Sequence, residues 1–384
     1  MSPVGIRSVF PNVEEAYSML RKMMRPSEKL VQQYGVKKPL LFIGLVGKFL
    51  EMESGMLGQF LSKLQAKFSE NYTLGEYEGS AFEVVPSIAQ GAYVWLTINF
   101  LKNLISNSRM LRQSTVGVIN MMTENVTISY LPPIDVNFTG NEHENGVHFV
   151  VFEDVPEINE YDLYSVSHKG YGLEEAFFAI VQNSGITPCL NSGQIYALNS
   201  THSIIGSGNP YRCLELIGNY FKLFLPCLQV PCSINGTYQA SFGRNLQFYS
   251  NSYEICTFFN FTDEFTPSEL KEKSIEYCLK DGKSLSEAEQ YFEGNFQSKC
   301  FEGLYFSQLL VSGFNLIPDK KIMLTKKINS FDIDWKLGFF LEKLSFMNES
   351  QRCNSSFMES TNIHLTFSDN KTDSTHKQKY SKDL

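Results

Sequence analysis

The chain has 384 residues, more than one ordinary core requires, so two domains are expected. Its 43% hydrophobic and 19% charged residues describe a folded globular protein rather than a disordered one. A formal net charge of -8, with no clustered Lys or Arg, argues against binding nucleic acid by phosphate neutralisation.

Asn12 followed by Glu15 is a capping-box pattern, and Ala16, Met19, Leu20 and Met23 share one helical face until Pro26, where the helix is expected to end. Residues 39–44 are a short apolar run suited to a buried strand, and Leu57, Phe60, Leu61, Leu64 and Phe68 mark a second amphipathic helix. Residues 87–130 carry the most specific wording. After Gly91, the residues Trp95, Ile98, Leu101 and Ile105 recur at helical spacing, and 115–125 alternate like a strand entering a turn. Strands are expected at 147–152 and 162–166, then a helix at 172–181 with Phe177, Phe178 and Val181 for the core. Gly206-Ser207-Gly208-Asn209 reads as a turn leading to a helix rather than a phosphate cradle. Thr266-Pro267-Ser268-Glu269 combines a capping Thr, Pro at the first helical position and Glu at the third. Beyond Met347 the composition turns to Asn, Ser, Thr and Lys, and 351–384 reads as a disordered tail.

Nine Asn-x-Ser/Thr sequons, headed by Asn71, Asn125, Asn137, Asn199, Asn235, Asn260, Asn348, Asn354 and Asn370, and eight cysteines point to secretory or extracellular ancestry. Against this, residues 1–7 have no apolar signal core. No stretch reaches the roughly 18 apolar residues of a membrane span. The nearest, 39–50, is broken by two glycines and Lys48. Zinc is not expected, because Cys227 and Cys232 lack a second Cys or His pair at ligand spacing. Cys256, between Ile255 and Phe258, reads as a buried small hydrophobe. There is no G-x-S-x-G elbow, no G-x-x-x-x-G-K-[ST] loop and no H-E-x-x-H helix.

Gly91, Tyr93, Trp95, Thr97 and Asn99 fit the pattern E-G-x-Y-x-W-x-T-x-N-Y-L, and Gly117 fits the approach to D-L-G-G-A-S-T-Q. In these residues the chain resembles the ectonucleoside triphosphate diphosphohydrolases, the apyrase family of nucleotide phosphatases. The likeness extends to Gly44-Leu45-Val46-Gly47-Lys48-Phe49-Leu50 in place of a G-A-T-A-G-M-R-L-L loop, and to the following Met52-Glu53-Ser54. It continues in Cys300-Phe301-Glu302-Gly303-Leu304-Tyr305, similar to C-F-S-G-x-Y, and in Asp334-Trp335-Lys336-Leu337-Gly338, similar to S-W-x-L-G. The resemblance implies an α/β fold of two actin-like (ribonuclease H-like) lobes, with residues 1–86 plus about 329–350 in the first and 87–328 in the second. The family's first phosphate motif, D-A-G-S-S-H-T, has no counterpart. Gly5-Ile6-Arg7-Ser8 resembles a segment that normally follows that motif, so a truncated, incomplete first lobe is expected. The resemblance also implies the disulfides Cys189–Cys213, Cys227–Cys232 and Cys278–Cys300, leaving Cys256 and Cys353 unassigned and Gly170 where half of a further family pair would stand.

In that family a water attacks the terminal phosphate, activated by the Glu of E-G-x-Y, while glycine-rich turns hold the phosphates and their carboxylates hold Ca²⁺ or Mg²⁺ through water. Here the resemblance puts Gln90 at the base, Asn120 at the metal carboxylate, Met122 and Thr123 at the two glycines, and Asn125 at the serine. An amide cannot accept a proton at neutral pH, which removes roughly 10²–10⁴-fold of general-base help. Side chains replace glycines where backbone N–H groups must approach phosphate, and Glu124 adds like charge beside them. Asn125 opens a sequon, so a glycan filling the cleft is also expected. Gly91, Tyr305 as the base-stacking aromatic, and Trp335 of the last motif are the candidate nucleotide contacts. The alternative for each of them is ordinary helix packing or core. No metal or other cofactor is expected of the chain as written, although the family implies Ca or Mg, and the expected small-molecule partner is a nucleoside or nucleotide. The resulting expectation is a catalytically impaired apyrase homologue acting as a nucleotide- or protein-binding pseudoenzyme. The alternatives are a hydrolase with an altered site and an incomplete or spliced product without independent function.

Overall fold

The computed structural model describes residues 10–33, 40–46, 54–74, 82–105, 114–133, 148–154, 157–181, 185–197, 202–227, 230–243, 246–285, 291–293, 298–345 and 362–366. Its N-terminal part supplies α1 (Val13–Gln33), β1 (Leu40–Leu41), β2 (Ile43–Leu45), α2 (Ser54–Ser69), β3 (Thr73–Leu74) and β4 (Phe82–Val84). Helix α1 starts where expected: Asn12 Oδ1 accepts from the Glu15 N–H at 3.2 Å, and Asn12 Nδ2 donates to the Glu15 carboxylate at 3.3 Å. It does not end at Pro26. The proline forgoes one backbone hydrogen bond, yet the helix runs on to Gln33, and Glu28 in the added turns is held by the Tyr72 hydroxyl and by Arg21 at 3.5 Å. Helix α2 buries Leu57, Phe60, Leu64 and Phe68 as its spacing predicts. Phe60, Leu64 and Phe68 join Ala16, Tyr72 and Phe82 in a small core of their own. The apolar run expected as one strand is divided between β1 and β2, which pair in parallel with β3 and β4 respectively.

The chain continues through α3 (Ser87–Leu101), β5 (Gly117–Met121), β6 (Asn125–Tyr130), β7 (His148–Asp154), β8 (Glu157–Lys169), α4 (Leu173–Val181), β9 (Ile186–Thr187), β10 (Ile195–Ala197), β11 (Ser203–Gly206) and α5 (Pro210–Tyr220). Then come β12 (Phe248–Ser250), α6 (Tyr253–Phe258), β13 (Glu264–Phe265), α7 (Pro267–Cys278), β14 (Tyr291–Glu293), α8 (Lys299–Gln308), β15 (Ile322–Leu324), the hairpin β16 (Lys327–Ile328) with β17 (Phe331–Asp332), α9 (Trp335–Ser345) and β18 (Asn362–Thr366). The capping box read from sequence is present, with Thr266 and Glu269 reciprocal at the head of α7, and the turn expected at 206–209 does lead into a helix, α5, which Asn209 Oδ1 caps by accepting from Arg212 N–H at 3.1 Å.

An eight-stranded sheet in the order β13-β15-β12-β5-β6-β8-β7-β18 forms the centre. Strands β5, β6 and β8 are an antiparallel meander, while β12 and β15 lie parallel to β5 on its other side. Numbered by sequence, these five strands stand in the order 3-2-1-4-5, the ribonuclease H-like arrangement of an actin-like lobe, so the α/β fold class is the one expected. Alternation along β5 divides the core: Val118 faces the cluster containing α3 and α9, and Ile119 and Met121 face the cluster built from α4 to α8. A second sheet, β14-β10-β11-β9, flanks the latter.

Several boundaries differ from expectation. Helix α3 opens at Ser87 instead of after Gly91, and it closes at Leu101, so Ile105 lies beyond it. Strand β8 is longer than the stretch 162–166 because its whole length is paired with β6 or β7. Within 351–384, where a disordered tail is expected, the described stretch Asn362–Thr366 is a strand antiparallel to β7. The three disulfides Cys189–Cys213, Cys227–Cys232 and Cys278–Cys300 are all formed. Closing loops with sequence separations of 24, 5 and 22 contributes on the order of 2–4 kcal/mol for each of the longer two. Cys256 is a buried free thiol whose pKa burial pushes well above the usual range. Cys353, the segments Gly5 to Ser8 and Gly47 to Glu53, and the sequons at Asn137, Asn199, Asn348, Asn354 and Asn370 lie outside the described residues.

Among the described residues, the part before Pro86 relies on two-residue and three-residue strand pairs and a small core, whereas the part after it is built on the eight-stranded sheet. Backbone amides before Pro86 are therefore expected to exchange faster than those of β5, β6 and α8 in native-state hydrogen exchange. Equal protection on both sides would contradict this division.

Candidate active site

Helix α3 lies between the sheet and α9, and the motif residues along it account for that position. Gly91 faces β6: a Cβ there would stand 2.6 Å from Thr127 Oγ1 and 2.8 Å from Thr127 Cβ, so the glycine lets helix and sheet approach. The Tyr93 hydroxyl donates to Glu342 on α9 at 2.9 Å. Thr97 Oγ1 accepts from the Gly338 N–H at 2.9 Å and donates to the Asp334 carbonyl at 3.0 Å, which ties down the first turn of α9. Asn99 joins α3 to the lead-in of β5, with Oδ1 accepting from Val116 N–H at 2.8 Å and Nδ2 donating to Val116 O at 3.1 Å and to Trp95 O at 2.9 Å. Trp95 is fully buried. Each of these residues has a scaffold role.

The positions that would carry chemistry are gathered at the near end of the same helix and sheet. Gln90 is 6% exposed, and its Nε2 donates to the Val85 carbonyl at 3.3 Å. Asn120 Oδ1 accepts from Asn251 Nδ2 at 2.6 Å. Asn251, just past the end of β12, also grips the β5 backbone, donating to Met121 O at 2.9 Å and accepting from Met121 N–H at 2.7 Å. Asn125 Nδ2 donates to Ser87 Oγ at 2.8 Å, while Asn125 Oδ1 and Thr127 Oγ1 are buried and make no hydrogen bond among the described residues. Ser129 and Ser165 exchange a hydroxyl hydrogen bond at 2.8 Å, and Ser165 Oγ donates to Ile88 O at 3.4 Å. A neutral amide and hydroxyl stripe therefore lies under the start of α3.

The turn between β5 and β6 is stitched to α4. Met122 O accepts from Leu173 N–H at 3.0 Å, Thr123 O from Glu174 and Glu175 N–H at 3.2 and 3.3 Å, and Glu124 O from Gly170 N–H at 2.9 Å. Successive carbonyls thus satisfy the orphan donors of a helix N-terminus. Gly170, at φ +87°, makes this return, and a Cβ at Gly172 would strike the backbone at Glu124 and Asn125. The glycan expected in the cleft has no free amide to occupy: Asn125 is 9% exposed and its Nδ2 is engaged by Ser87.

The two aromatic candidates are apart and embedded in different clusters. Tyr305 is 0% exposed, its ring stacked on Phe301 at 5.2 Å and tilted against Phe221 at 5.7 Å, its hydroxyl donating to Tyr171 O at 2.7 Å. No ring face is open for a base. Trp335 packs edge-on against Phe339 at 5.7 Å, and its ring lies over Gly44, where a Cβ would meet it at 2.6 Å. It joins α9 to β2.

The family implies a divalent metal held through carboxylates, and the residues present do not fit one. Such ions bind where charged carboxylates gather, whereas Asn120 brings no charge and its Oδ1 already accepts from Asn251. Among the described residues no group of three or more His, Cys, Asp or Glu side chains could hold a metal. Asn251, Thr127 and Ser165 were not singled out from sequence; the alternation Asn125, Thr127, Ser129 along β6 is the signal that could have found Thr127, while Asn251 meets Asn120 only through parallel pairing of β12 with β5.

A helix with these motif residues laid over a 3-2-1-4-5 sheet defines the scaffold of a nucleoside phosphatase. Comparison agrees: the GDA1/CD39 (nucleoside phosphatase) family is matched over residues 3–356, and the chain belongs to that family. It is 23% identical over 385 residues to ectonucleoside triphosphate diphosphohydrolase 1 of Bos taurus, covering 88% of this chain and 72% of that protein. Identity to a nucleoside-triphosphatase of Pisum sativum is 22%, with coverage of 91% and 81%. A solved structure of a nucleoside triphosphate hydrolase from Neospora caninum is similar with a TM-score of 0.60 at 11% identity, covering 87% of this chain and 79% of that one, a likeness of fold.

Beside the site, Glu342, 2% exposed, and Lys343, 3% exposed, pair at 2.9 Å, and Lys343 also pairs with Glu83 on β4. Burial pushes the Glu342 carboxyl up to about 7, with Lys343 opposing, Glu83 reinforcing and the Tyr93 hydroxyl opposing. Its folded pKa therefore exceeds the ordinary 4.5 of the unfolded chain, so this stabilisation is complete below about 4.5 and is lost as pH rises through about 7. The melting temperature is expected to fall between pH 5 and pH 8 by an amount that Glu342→Gln reduces. A wild-type slope retained in Glu342→Gln would assign the pH dependence elsewhere.

Proposed function

We propose that this chain is a nucleoside-phosphatase homologue that has lost phosphohydrolysis and acts by binding, as a pseudoenzyme. The observation that supports the reading is the Asn120–Asn251 clasp: the residue that the resemblance sets at the metal carboxylate is a neutral amide, closed on Asn251 at 2.6 Å and anchored on the β5 backbone. Gln90 at the base position supports it, since its amide is turned to the Val85 carbonyl and has no proton-accepting capacity. The turn after β5 supports it as well, because the Met122 N–H donates to the Asn125 carbonyl at 2.9 Å and is not free to face a phosphate. On this reading residues 1–86 with about 329–350 make the first lobe and 87–328 the second.

Purified protein is expected to release no phosphate from ATP, ADP, UDP or GDP with Ca²⁺ or Mg²⁺ above a metal-free blank. Gln90→Glu alone is expected not to restore turnover, because a base gains nothing where phosphate is neither held nor aligned, and positioning is the larger part of this catalysis. Phosphate release would be compared for wild type, Gln90→Glu and the combination Gln90→Glu, Asn120→Asp, Met122→Gly and Thr123→Gly. Metal-dependent turnover by the unmodified chain would overturn the reading and leave a hydrolase with an altered site.

The same reading places the protein in the secretory pathway. Three formed disulfides support this, as do exposed sequon asparagines at Asn71, Asn235 and Asn260. Glycosidase treatment of material from native cells is expected to lower its mass, with glycopeptides at exposed sequons and an unmodified Asn125 peptide. An unchanged mass would refute the compartment, and a glycan on Asn125 would refute the folded arrangement around Ser87.

A further inference from the structure

Two ionisable side chains are buried side by side where α9 passes the N-terminal part. Glu342 and Lys343 pair at 2.9 Å, and each also reaches a different neighbour. Glu342 accepts from the Tyr93 hydroxyl on α3 at 2.9 Å, whereas Lys343 pairs with Glu83 on β4 and stands 5.4 Å from the centre of the Phe339 ring. Two further contacts of α9 with the N-terminal part, Phe340 on Phe42 and Trp335 over Gly44, are apolar. Titratable groups on the surrounding elements are few. Tyr93 is the only one on α3 and Glu83 the only one on β4, while β1 and β2 have none. On α9 itself Lys336 is paired with Asp334 at the first turn, and β18, which runs beside α9, carries His364.

The charge of this cluster depends on one proton. With Glu342 protonated, Lys343 meets the single carboxylate of Glu83 and the cluster is neutral. Ionised Glu342 brings a second carboxylate to the same ammonium, which leaves a net negative charge in a buried place and sets Glu342 against Glu83. Burial raises the Glu342 carboxyl to about 7 and Glu83 pushes it the same way, while Lys343 and the Tyr93 hydroxyl favour the charged form. The two sides of α9 therefore respond oppositely. Ionisation strengthens the hydrogen bond from Tyr93, and it weakens the Lys343–Glu83 pair by drawing the ammonium between two carboxylates. We propose that Glu342, Lys343 and Glu83 form a proton-gated latch, closed between α9 and β4 while Glu342 is protonated, and loosened at β4 but not at α3 once Glu342 ionises. Because the closed form raises this carboxyl, its stabilisation is complete at acid pH and is lost as pH rises through about 7.

The test is native-state hydrogen exchange of the full chain at pH 6 and pH 8, corrected for the pH dependence of intrinsic exchange. It follows the amides that join β2 to β4, including Val85 N–H on Leu45 O, against those of α3 and β5. Opening at β2–β4 is expected to increase about tenfold over this interval, the factor that follows if opening returns Glu342 from about 7 to its ordinary 4.5. The amides of α3 and β5 are expected to change much less. Glu342→Gln is expected to hold the pH 6 level at both values. Glu83→Gln, at a half-buried position, is expected to raise exchange at pH 6 already and to flatten the rise, and it keeps the test decisive if Glu342→Gln fails to fold. His364→Gln is expected to leave the rise intact. A rise kept in Glu342→Gln, or one removed by His364→Gln, would overturn the proposal by assigning the proton elsewhere. An equal rise in α3 and β5, or none at β2–β4, would overturn it too, because no local latch would then exist.

Discussion

The crossing of α3 and α9 is the contact on which the arrangement depends. Gly338 lies against the Tyr93 carbonyl so closely that a Cβ could not be placed there, and its N–H is held by Thr97 Oγ1 at 2.9 Å. Because α9 is anchored this way, Trp335 reaches Gly44 on β2, Lys343 reaches Glu83 on β4 and Phe340 packs against Phe42 at 5.9 Å, so three contacts with the N-terminal part run through one helix. The same crossing sets α3 against β6 through Gly91, which fixes the depth at which Gln90 and Ser87 meet the sheet. Two glycines and one threonine hydroxyl thus determine the spacing of the whole site.

This explains why half of a motif persists where the other half has changed. Gly91, Tyr93, Trp95, Thr97 and Asn99 each make packing or hydrogen-bond contacts whose loss would leave a buried group unsatisfied or a helix displaced, at roughly 1–3 kcal/mol apiece. Against a total stability of about 5–15 kcal/mol, few such losses are tolerable. Gln90 and Asn120 depart from that motif wording, and as neutral amides they are buried without the cost of a charge, paired with Val85 O and with Asn251.

How much could be read beforehand divides along the same line. Local signals were legible: Asn12 and Thr266 capped helices where their side chains said they would, the turn at 206–209 led into a helix, and the period of α2 placed Phe60, Leu64 and Phe68 inside. Pro26 misled, because a proline costs one hydrogen bond and Glu28, held by Tyr72 between α2 and β3, offsets it. Asn125 misled for a related reason, since a sequon is a local pattern and its burial against Ser87 depends on where α3 lands. The disulfides followed from family likeness, not from spacing. Tyr305 and Trp335 could not be assigned to base or core from sequence, since an aromatic at helical spacing suits both, and only the packing of Phe301, Phe221 and Gly44 separates the two roles.

The clasp between Asn120 and Asn251 sets the electrostatics of that end of the sheet, since carboxylates at these two positions would repel one another. Here the corresponding end of β5 is neutral, and Asn251 bridges from β12 to both backbone groups of Met121 as well as to Asn120. Three hydrogen bonds across two parallel strands stiffen this point, while beside it Asn125 Oδ1 and Thr127 Oγ1 stay buried with no hydrogen bond among the described residues, so the stripe under α3 is neutral but not fully satisfied.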